Sequence, residues 1–300
     1  EALMWLGPLE ARITDAQTGP RKARMLSFGN SPKIYQAGVI VDDHGAFNWD
    51  HIFDPEQALA LSLALVAPRI EPAVLKDTRA LVVGGGGGTL SMALHQLFGG
   101  RLAQDVVELD GGVITAAHEY FNLPREDPNI VVHHADGIDF AASAAPSTYD
   151  AAMVDTCPFD SVDGAPLELP PEPFVDEAFL KDAHRSLKPG GVFAMNVIGD
   201  AITLASLTFK LQLIFGDVHV LATDPNYYFF ARKAVDGGAP LLQIDEDELA
   251  ELATATRLDR IAGDLLRQEV AKTQHYREIA TLIGWLPSDE FLDRCMKEQV

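Results

Sequence analysis

Five consecutive glycines occupy positions 84–88, directly after the apolar run RALVVG and before a stretch whose pattern predicts a helix. A glycine-rich turn between a strand and a helix brings the backbone close to a ligand and points helix N–H groups at it. The alternative is a tight turn without a ligand, because five glycines satisfy many sequence patterns. We predict a loop for a nucleotide-type cofactor. Its predicted binding glycines are Gly84, Gly85, Gly86 and Gly88.

Acidic side chains stand at the ends of the next three candidate strands. Glu108 follows the loop by roughly twenty residues, the spacing at which a carboxylate accepts hydrogen bonds from ribose hydroxyls. Asp136 ends the following predicted strand, where it can meet the exocyclic amine of an adenine, and Asp155 ends the next. Leu109 and Gly137 come directly after the first two acids and are predicted to contact the same ligand. The set predicts an adenosyl cofactor, and both NAD and S-adenosylmethionine fit it.

A mostly parallel sheet is needed to bring these strand ends together, and the chain alternates strand and helix patterns as such a sheet requires. Candidate strands lie at 79–84, 105–110, 129–136, 149–155, 191–199, 217–223 and 226–233. Between them, residues 172–187 repeat apolar side chains every fourth position, which predicts one amphipathic helix. We predict an α/β, Rossmann-like fold with a seven-stranded sheet. The closely spaced last two strands predict one antiparallel strand, which favours S-adenosylmethionine over a dinucleotide.

The chain divides into three predicted parts. Residues 1–50 form an N-terminal extension with a small β-hairpin region, because turn signals interrupt its apolar runs. Residues 51–235 form the cofactor-binding domain, with a first helix beginning near Asp54 and Pro55 in its first turn. Residues 236–300 form a helical C-terminal extension.

Composition limits the classes of partner. Of the 300 residues, 47% are hydrophobic and 22% are charged, as in a soluble globular protein, and no apolar run is long enough to span a bilayer. The net charge of −21 argues against a nucleic-acid partner and fits a basic one, or only a well-solvated acidic surface. The two cysteines exclude a disulfide framework or a cysteine-rich metal site and fit a reducing, cytoplasmic compartment; no metal is predicted. Because the sequence begins at Glu1, a removed leader or upstream domain is an open alternative.

The motifs resemble the spermidine-synthase-like branch of class I S-adenosylmethionine-dependent methyltransferases. Residues 84–90 match its glycine loop, G-x-G-G-G-[ST]-L, and VVELD, HHADGIDF and YDAAMVD match its later strand ends. The similarity covers residues 25–233 and extends to the methyltransferases of translation elongation factor one-alpha. It implies S-adenosylmethionine as the cofactor and N-methylation of a lysine or N-terminal amine of a protein such as that factor. A homodimer is an open alternative to a monomer.

Two positions depart from true spermidine synthases of the same branch. Those enzymes carry an Asp inside the glycine loop, where this chain has Gly87, and a D-[ST]-[ST]-D motif after the fourth strand. Here DTCPFD keeps the first carboxylate as Asp155 but puts Pro158 in place of the second, with Asp160 as a candidate substitute that binds substrate. Both departures count against aminopropyl transfer from decarboxylated S-adenosylmethionine, which stays the alternative reaction. A non-catalytic scaffold of the same fold is the alternative from a different class.

Asp155 is the predicted catalytic residue and also a predicted cofactor contact. An amine must lose a proton before it can attack a methyl group, and a carboxylate at a strand end can hold the amine and assist that step. The alternative is a carboxylate that only orders its loop. His133 and His134 are predicted to be structural, because neighbours in a strand face opposite sides. Cys157 is assigned no nucleophilic role.

Two further candidates complete the site. Gln57, on the helix before the loop, matches a position near the cofactor in the resembling family; a solvent-facing Gln is the alternative. Tyr227 is predicted to bind substrate, together with its neighbour Tyr228, although aromatic residues in a terminal strand also occur in protein cores.

Overall fold

The computed structural model describes residues 2–3, 11–18, 21–28, 31–42, 44–66, 78–157, 169–223, 225–234 and, further on, 253–254, 257–258 and 260. Within these residues the chain forms two β-sheets with helices packed around the second. No helix among the described residues is long and apolar enough to cross a membrane.

The first sheet is antiparallel and has the strand order β1-β2-β3-β4-β5. Its strands are β1 (Ala2–Leu3), β2 (Ala11–Thr18), β3 (Arg21–Phe28), β4 (Ser31–Val41) and β5 (Phe47–Ile52). The predicted hairpin region corresponds to β3–β5, and the sheet extends further toward the N terminus than the turn signals indicated. Buried Leu26 and Val39 of this sheet pack against Phe121 beside the second sheet. The predicted domain boundaries stay predictions.

The second sheet has seven strands in the order β11-β12-β10-β9-β6-β7-β8. They are β6 (Arg79–Val83), β7 (Ala103–Glu108), β8 (Ile130–His134), β9 (Tyr149–Val154), β10 (Leu187–Val197), β11 (Gly216–Thr223) and β12 (Asn226–Lys233). Strands β6 to β10 pair in parallel, whereas β12 is antiparallel to both of its neighbours. The predicted α/β fold, the seven strands and the antiparallel insertion are confirmed. The strand order reverses beside β6, which opens a crevice at the carboxyl ends of β6 and β9.

Helices cover both faces of this sheet. They are α1 (Asp54–Ala60), α2 (Ser62–Val66), α3 (Thr89–Leu97), α4 (Gly111–Tyr120), α5 (Gly137–Ser143), α6 (Glu177–Ser186) and α7 (Ala201–Phe215). The core on one face joins Leu59 and Leu63 to Leu94, and the core on the other joins Phe179 to Leu211. Helix α1 begins at Asp54 with a proline in its first turn, as predicted.

The helix predicted over 172–187 is divided in the structure. A 3-10 turn covers Glu172–Val175, the extended backbone of Asp176 interrupts it, and α6 begins at the next residue. Leu187 belongs to β10 rather than to the helix, because its backbone is extended and it pairs with Tyr149. The predicted helix was therefore wrong at both ends. The extended Asp176 overrides the apolar repeat at the N-terminal end, and the sheet pairing of Leu187 overrides it at the C-terminal end.

Most of the C-terminal extension predicted to be helical lies outside the described residues. Two of its described side chains, Ala253 and Leu258, are fully buried in the core that contains α1 to α3. Arg260 forms an exposed ion pair with Asp50, with 2.8 Å between nitrogen and oxygen. This part of the extension therefore packs on the preceding fold.

Candidate active site

A cavity of about 340 Å³ lies at the carboxyl ends of β6, β7 and β9. We refer to it as the central cavity. Its polar wall contains Gly84, Gly86, Glu108, Asp136, Asp155 and Thr156, and its apolar wall contains Val83, Val107, Leu109, Val113, Ile138 and Phe174. The size and the mixed lining are typical of a small-molecule site. No lysine, arginine or histidine is among its described lining residues.

The glycine loop approaches the rest of the site more closely than another residue would permit. Gly84 has a φ of +88°, and a Cβ there would collide with the carbonyl oxygen of Asp155. Gly88 adopts the left-handed conformation (φ +72°) as the N-cap of α3, and its N–H donates to the Gly85 carbonyl at 2.8 Å. Of the four predicted glycines, Gly84 and Gly86 line the central cavity, whereas Gly85 and Gly88 do not.

Glu108 is held by the backbone on both sides of its carboxylate. Its Oε2 accepts from the Gly86 N–H at 3.0 Å, and its Oε1 accepts from the Asp110 N–H at 3.0 Å. The residue is 8% exposed, and burial raises the pKa of its carboxyl group. Leu109, the next residue, is 49% exposed and lines the central cavity with an apolar side chain. The side chain thus has a fixed orientation at the end of β7.

Asp136 and Gly137 line the central cavity at the start of α5. Strand β8 ends at His134, so the prediction that Asp136 ends the strand was wrong. The residue instead caps α5, since its Oδ1 accepts from the Ile138 N–H at 2.7 Å, a role for which Asp is strongly preferred. A Cβ on Gly137 would collide with Val83, so the helix start lies directly against β6.

Asp155 follows β9 and lies opposite the glycine loop. Its N–H donates to the Val83 carbonyl at 2.9 Å, and its Oδ1 accepts from Asn196 Nδ2 at 3.0 Å. Burial raises the pKa of the Asp155 carboxyl group, and the Asn196 hydrogen bond opposes that rise. The arrangement suits a carboxylate that accepts a proton.

Sequence reasoning missed two residues that are connected to Asp155: Asn196 directly, and Asn226 through Asn196. Asn196 lies in β10 and is 2% exposed, and its Oδ1 accepts from Asn226 Nδ2 at 2.9 Å. The available signal was an amide side chain inside the apolar run GVFAMNV, because a buried amide requires hydrogen-bond partners. The partner on β12 is not visible in the sequence, since β10 and β12 pair across an intervening helix and strand.

The remaining predicted contacts lie elsewhere. Gln57 is 6% exposed, donates to the Ile52 carbonyl at 2.7 Å and does not line the central cavity, so the solvent-facing alternative was wrong. Tyr227 is partly buried beside the core, and Tyr228 is fully buried within it; neither lines the cavity. Asp160, like Pro158, lies outside the described residues.

The two histidines make contacts with their immediate surroundings. His133 Nε2 lies 2.8 Å from Asp105 Oδ1, and His134 Nε2 lies 3.1 Å from the Leu109 carbonyl oxygen. Neither lines the central cavity, in agreement with the structural role predicted for both. Among the described residues, no group of three or more His, Cys, Asp or Glu side chains could hold a metal ion.

Comparison with known protein families assigns the central part of the chain. Residues 71–211, which include the glycine loop, Glu108, Asp136 and Asp155, match the family described as spermine/spermidine synthase domain. The chain contains a spermine/spermidine synthase-like domain. The resemblance that the motifs predicted is therefore confirmed for this part of the chain.

The synthase-like domain is also similar to a curated methyltransferase. The eEF1A lysine and N-terminal methyltransferase of Xenopus laevis is 35% identical over 147 residues, which are 47% of this chain. The matched region is 20% of that protein's length, so the similarity concerns a part of a much longer chain.

Two solved structures share the fold. Human methyltransferase-like protein 13 in complex with SAH has a TM-score of 0.57 and 26% identity, covering 68% of this chain and 93% of that one. A probable spermidine synthase from Corynebacterium glutamicum has a TM-score of 0.63 and 18% identity, covering 85% of this chain and 91% of that one. At that lower identity the second comparison concerns the fold alone.

Proposed function

We propose that this chain is an S-adenosylmethionine-dependent methyltransferase that N-methylates a lysine or N-terminal amine of a protein. The observation that carries the proposal is one cavity that joins the Gly84 turn, the anchored Glu108 carboxylate and the partly buried Asp155 carboxylate. The similarity to the eEF1A methyltransferase supports the reaction type, and makes elongation factor one-alpha the first substrate to test.

The residues of the central cavity fit an adenosyl cofactor. Glu108 presents a carboxylate whose two oxygens are already oriented by backbone N–H groups, as ribose hydroxyls would require. Leu109 and Val113 offer apolar contact for an adenine, and Asp136 lies beside them with lone pairs for its amine. Gly84 leaves room for close backbone approach because a Cβ has no space there.

Asp155 is the residue that acts on the substrate amine. When bound, S-adenosylmethionine supplies a methyl group on a positively charged sulfur. Asp155 Oδ1 is engaged by Asn196, and Asp155 lines the central cavity, where its other oxygen receives the amine. The carboxylate holds the amine in line and accepts its proton, and the apolar wall around it excludes water.

Aminopropyl transfer is the second candidate, because the matching family includes spermidine synthases. Gly87 argues against it. A Cβ at this position would lie 3.0 Å from Ala37 Cβ and 3.2 Å from the Phe121 ring, so a side chain there would point at the N-terminal sheet. A carboxylate at position 87 would therefore not face the central cavity.

The protein partner is expected to be basic. The net charge of −21 favours association with cationic surfaces through long-range attraction. The cytoplasmic location and the homodimer stay predictions.

The direct test is transfer of a labelled methyl group from S-adenosylmethionine to elongation factor one-alpha and to a basic protein extract. We expect labelled protein with the wild type and roughly a 100-fold lower rate with Asp155→Asn, which keeps the shape but removes the base. Asp139→Asn is the matched control, because Asp139 is an exposed carboxylate on α5 that does not line the cavity. Wild-type protein that binds S-adenosylhomocysteine but labels no acceptor would contradict the proposal.

A further inference from the structure

A series of side-chain hydrogen bonds connects β12 and β10 to Asp155, which follows β9 and lines the central cavity. Asn226, the first residue of β12, donates through Nδ2 to Asn196 Oδ1 at 2.9 Å. Asn196, in β10, donates through Nδ2 to Asp155 Oδ1 at 3.0 Å. The series of hydrogen bonds thus begins on the antiparallel strand β12 and ends on the Asp155 carboxylate, which lines the cavity.

This series of hydrogen bonds, from Asn226 to Asp155, has only one favourable direction. An ionised carboxylate accepts hydrogen bonds and cannot donate them, so Asn196 must turn its Nδ2 toward Asp155. The opposite orientation would place Asn196 Oδ1 against the carboxylate and its Nδ2 against Asn226 Nδ2. Asn226 Nδ2 donates to Asn196 Oδ1. This contact favours the orientation in which Asn196 Nδ2 donates to Asp155.

Burial keeps this orientation in place. Asn196 is 2% exposed, and Tyr228, which lies opposite it on β12, is fully buried. A buried amide without partners is costly, so both ends of the Asn196 side chain are constrained by what they bind. The antiparallel turn before β12, where Thr223 pairs with Asn226, sets the position of the first donor.

We propose that Asn196 and Asn226 are positioning residues that orient the Asp155 carboxylate so that its second oxygen receives the substrate amine. The proposal rests on the function proposed above. Both donors are neutral, so they orient Asp155 without the charge neutralisation that a lysine or arginine would bring. Asn226 acts through Asn196 and touches neither substrate nor cofactor.

The other ionisable groups around Asp155 are few among the described residues. Glu108 faces the cavity from the end of β7, Asp136 from the start of α5, and Cys157 from the loop that contains Asp155. Helix α1, which packs on β10 and β12, carries Glu56, whose Oε1 accepts from the Thr89 hydroxyl at 2.8 Å. The variants used to measure the titration of Asp155 must therefore leave these ionisable groups unchanged.

The first test is kinetic and uses Asn226→Ala, Asn196→Ala and the double variant in the full chain. Asn196→Ala loses a hydrogen bond to the Asp155 carboxylate, which predicts about a 10-fold lower kcat with unchanged affinity for S-adenosylhomocysteine. Asn226→Ala loses the donor that orients Asn196, so it should lower kcat by no more than Asn196→Ala does. Because Asn226 acts through Asn196, the double variant should be no slower than Asn196→Ala. Asn129→Ala is the matched control: it removes a side-chain donor to the Gly100 carbonyl, far from the cavity, and should leave kcat unchanged. Multiplied losses in the double variant would overturn the proposed route.

The second test needs no activity. The side-chain carboxyl signal of Asp155 is followed by ¹³C NMR against pH in the wild type, Asn226→Ala and Asn129→Ala. Loss of an oriented donor favours the protonated form, so the Asp155 midpoint should move to higher pH in Asn226→Ala alone. An unchanged midpoint together with unchanged kcat would overturn the positioning proposal. Wild-type protein that transfers no methyl group would instead refute the proposed function, and the titration distinguishes the two failures.

Discussion

The N–H of Gly86 donates a hydrogen bond of 3.0 Å to the carboxylate of Glu108, 22 residues further along the chain. The contact fastens the glycine loop after β6 to the acidic end of β7, two elements that the sequence suggested separately. Because Asp110 N–H holds the other oxygen, the Glu108 side chain keeps its direction before any ligand arrives. Such preorganisation lowers the cost of ordering a site upon binding.

Glu108→Gln tests this contact. The variant keeps the side-chain length but removes the charge, so ribose hydroxyls would lose a charge-assisted partner, with a cost of about 1.5 to 3 kcal/mol of affinity. Calorimetry with S-adenosylhomocysteine measures the change. Glu119→Gln, at an exposed position of α4, is the control and should bind as the wild type does. An unchanged dissociation constant for Glu108→Gln would remove Glu108 from the binding site.

Gly84→Ala tests the close approach of the loop to Asp155. The added Cβ would combine a left-handed backbone with a collision against the Asp155 carbonyl, so we expect a loss of about 2 kcal/mol or more in the free energy of unfolding. Gly45→Ala is the matched control, since Gly45 has a φ of +81° but open space around its Cβ position. Denaturant unfolding compares the two. Equal losses would show that backbone conformation alone, and not close packing, requires glycine at position 84.

Asp155→Asn tests the electrostatic cost of the partly buried carboxylate. Burial raises the pKa of Asp155, so the folded state favours the protonated form relative to the unfolded state. Stability from such a group is present below its unfolded pKa and is lost as pH rises through the folded pKa. We therefore expect Asp155→Asn to be more stable than the wild type near neutral pH, with the difference shrinking as pH falls toward about 4.

Urea midpoints at several pH values measure this difference in stability. The control Asp139→Asn, at an exposed position of α5, should not show the gain in stability at neutral pH. A wild type that is the more stable protein at neutral pH would mean that the Asp155 carboxylate stabilises the fold instead. The lower transfer rate expected for the same variant would then have to be separated from a change in folding.

The sequence was sufficient for the sheet and for part of the site. Apolar β-branched runs located all seven strands, and parallel topology brings Glu108 and Asp155 to one edge without further information. Asp136 was assigned to the right place with the wrong local structure, because a strong N-cap ends strand β8 earlier than hydrophobicity suggests. The Asn196–Asn226 contact depends on pairing between β10 and β12, which no local pattern encodes.

One competition experiment distinguishes methyl transfer from aminopropyl transfer by this protein. Purified protein is offered equal amounts of S-adenosylmethionine and decarboxylated S-adenosylmethionine, with both putrescine and elongation factor one-alpha as acceptors, and mass spectrometry identifies every product. We expect methylated protein and no spermidine, because position 87 has no carboxylate and a Cβ added there would point toward Ala37 and Phe121. Spermidine as the product, with tighter binding of the decarboxylated cofactor, would contradict it.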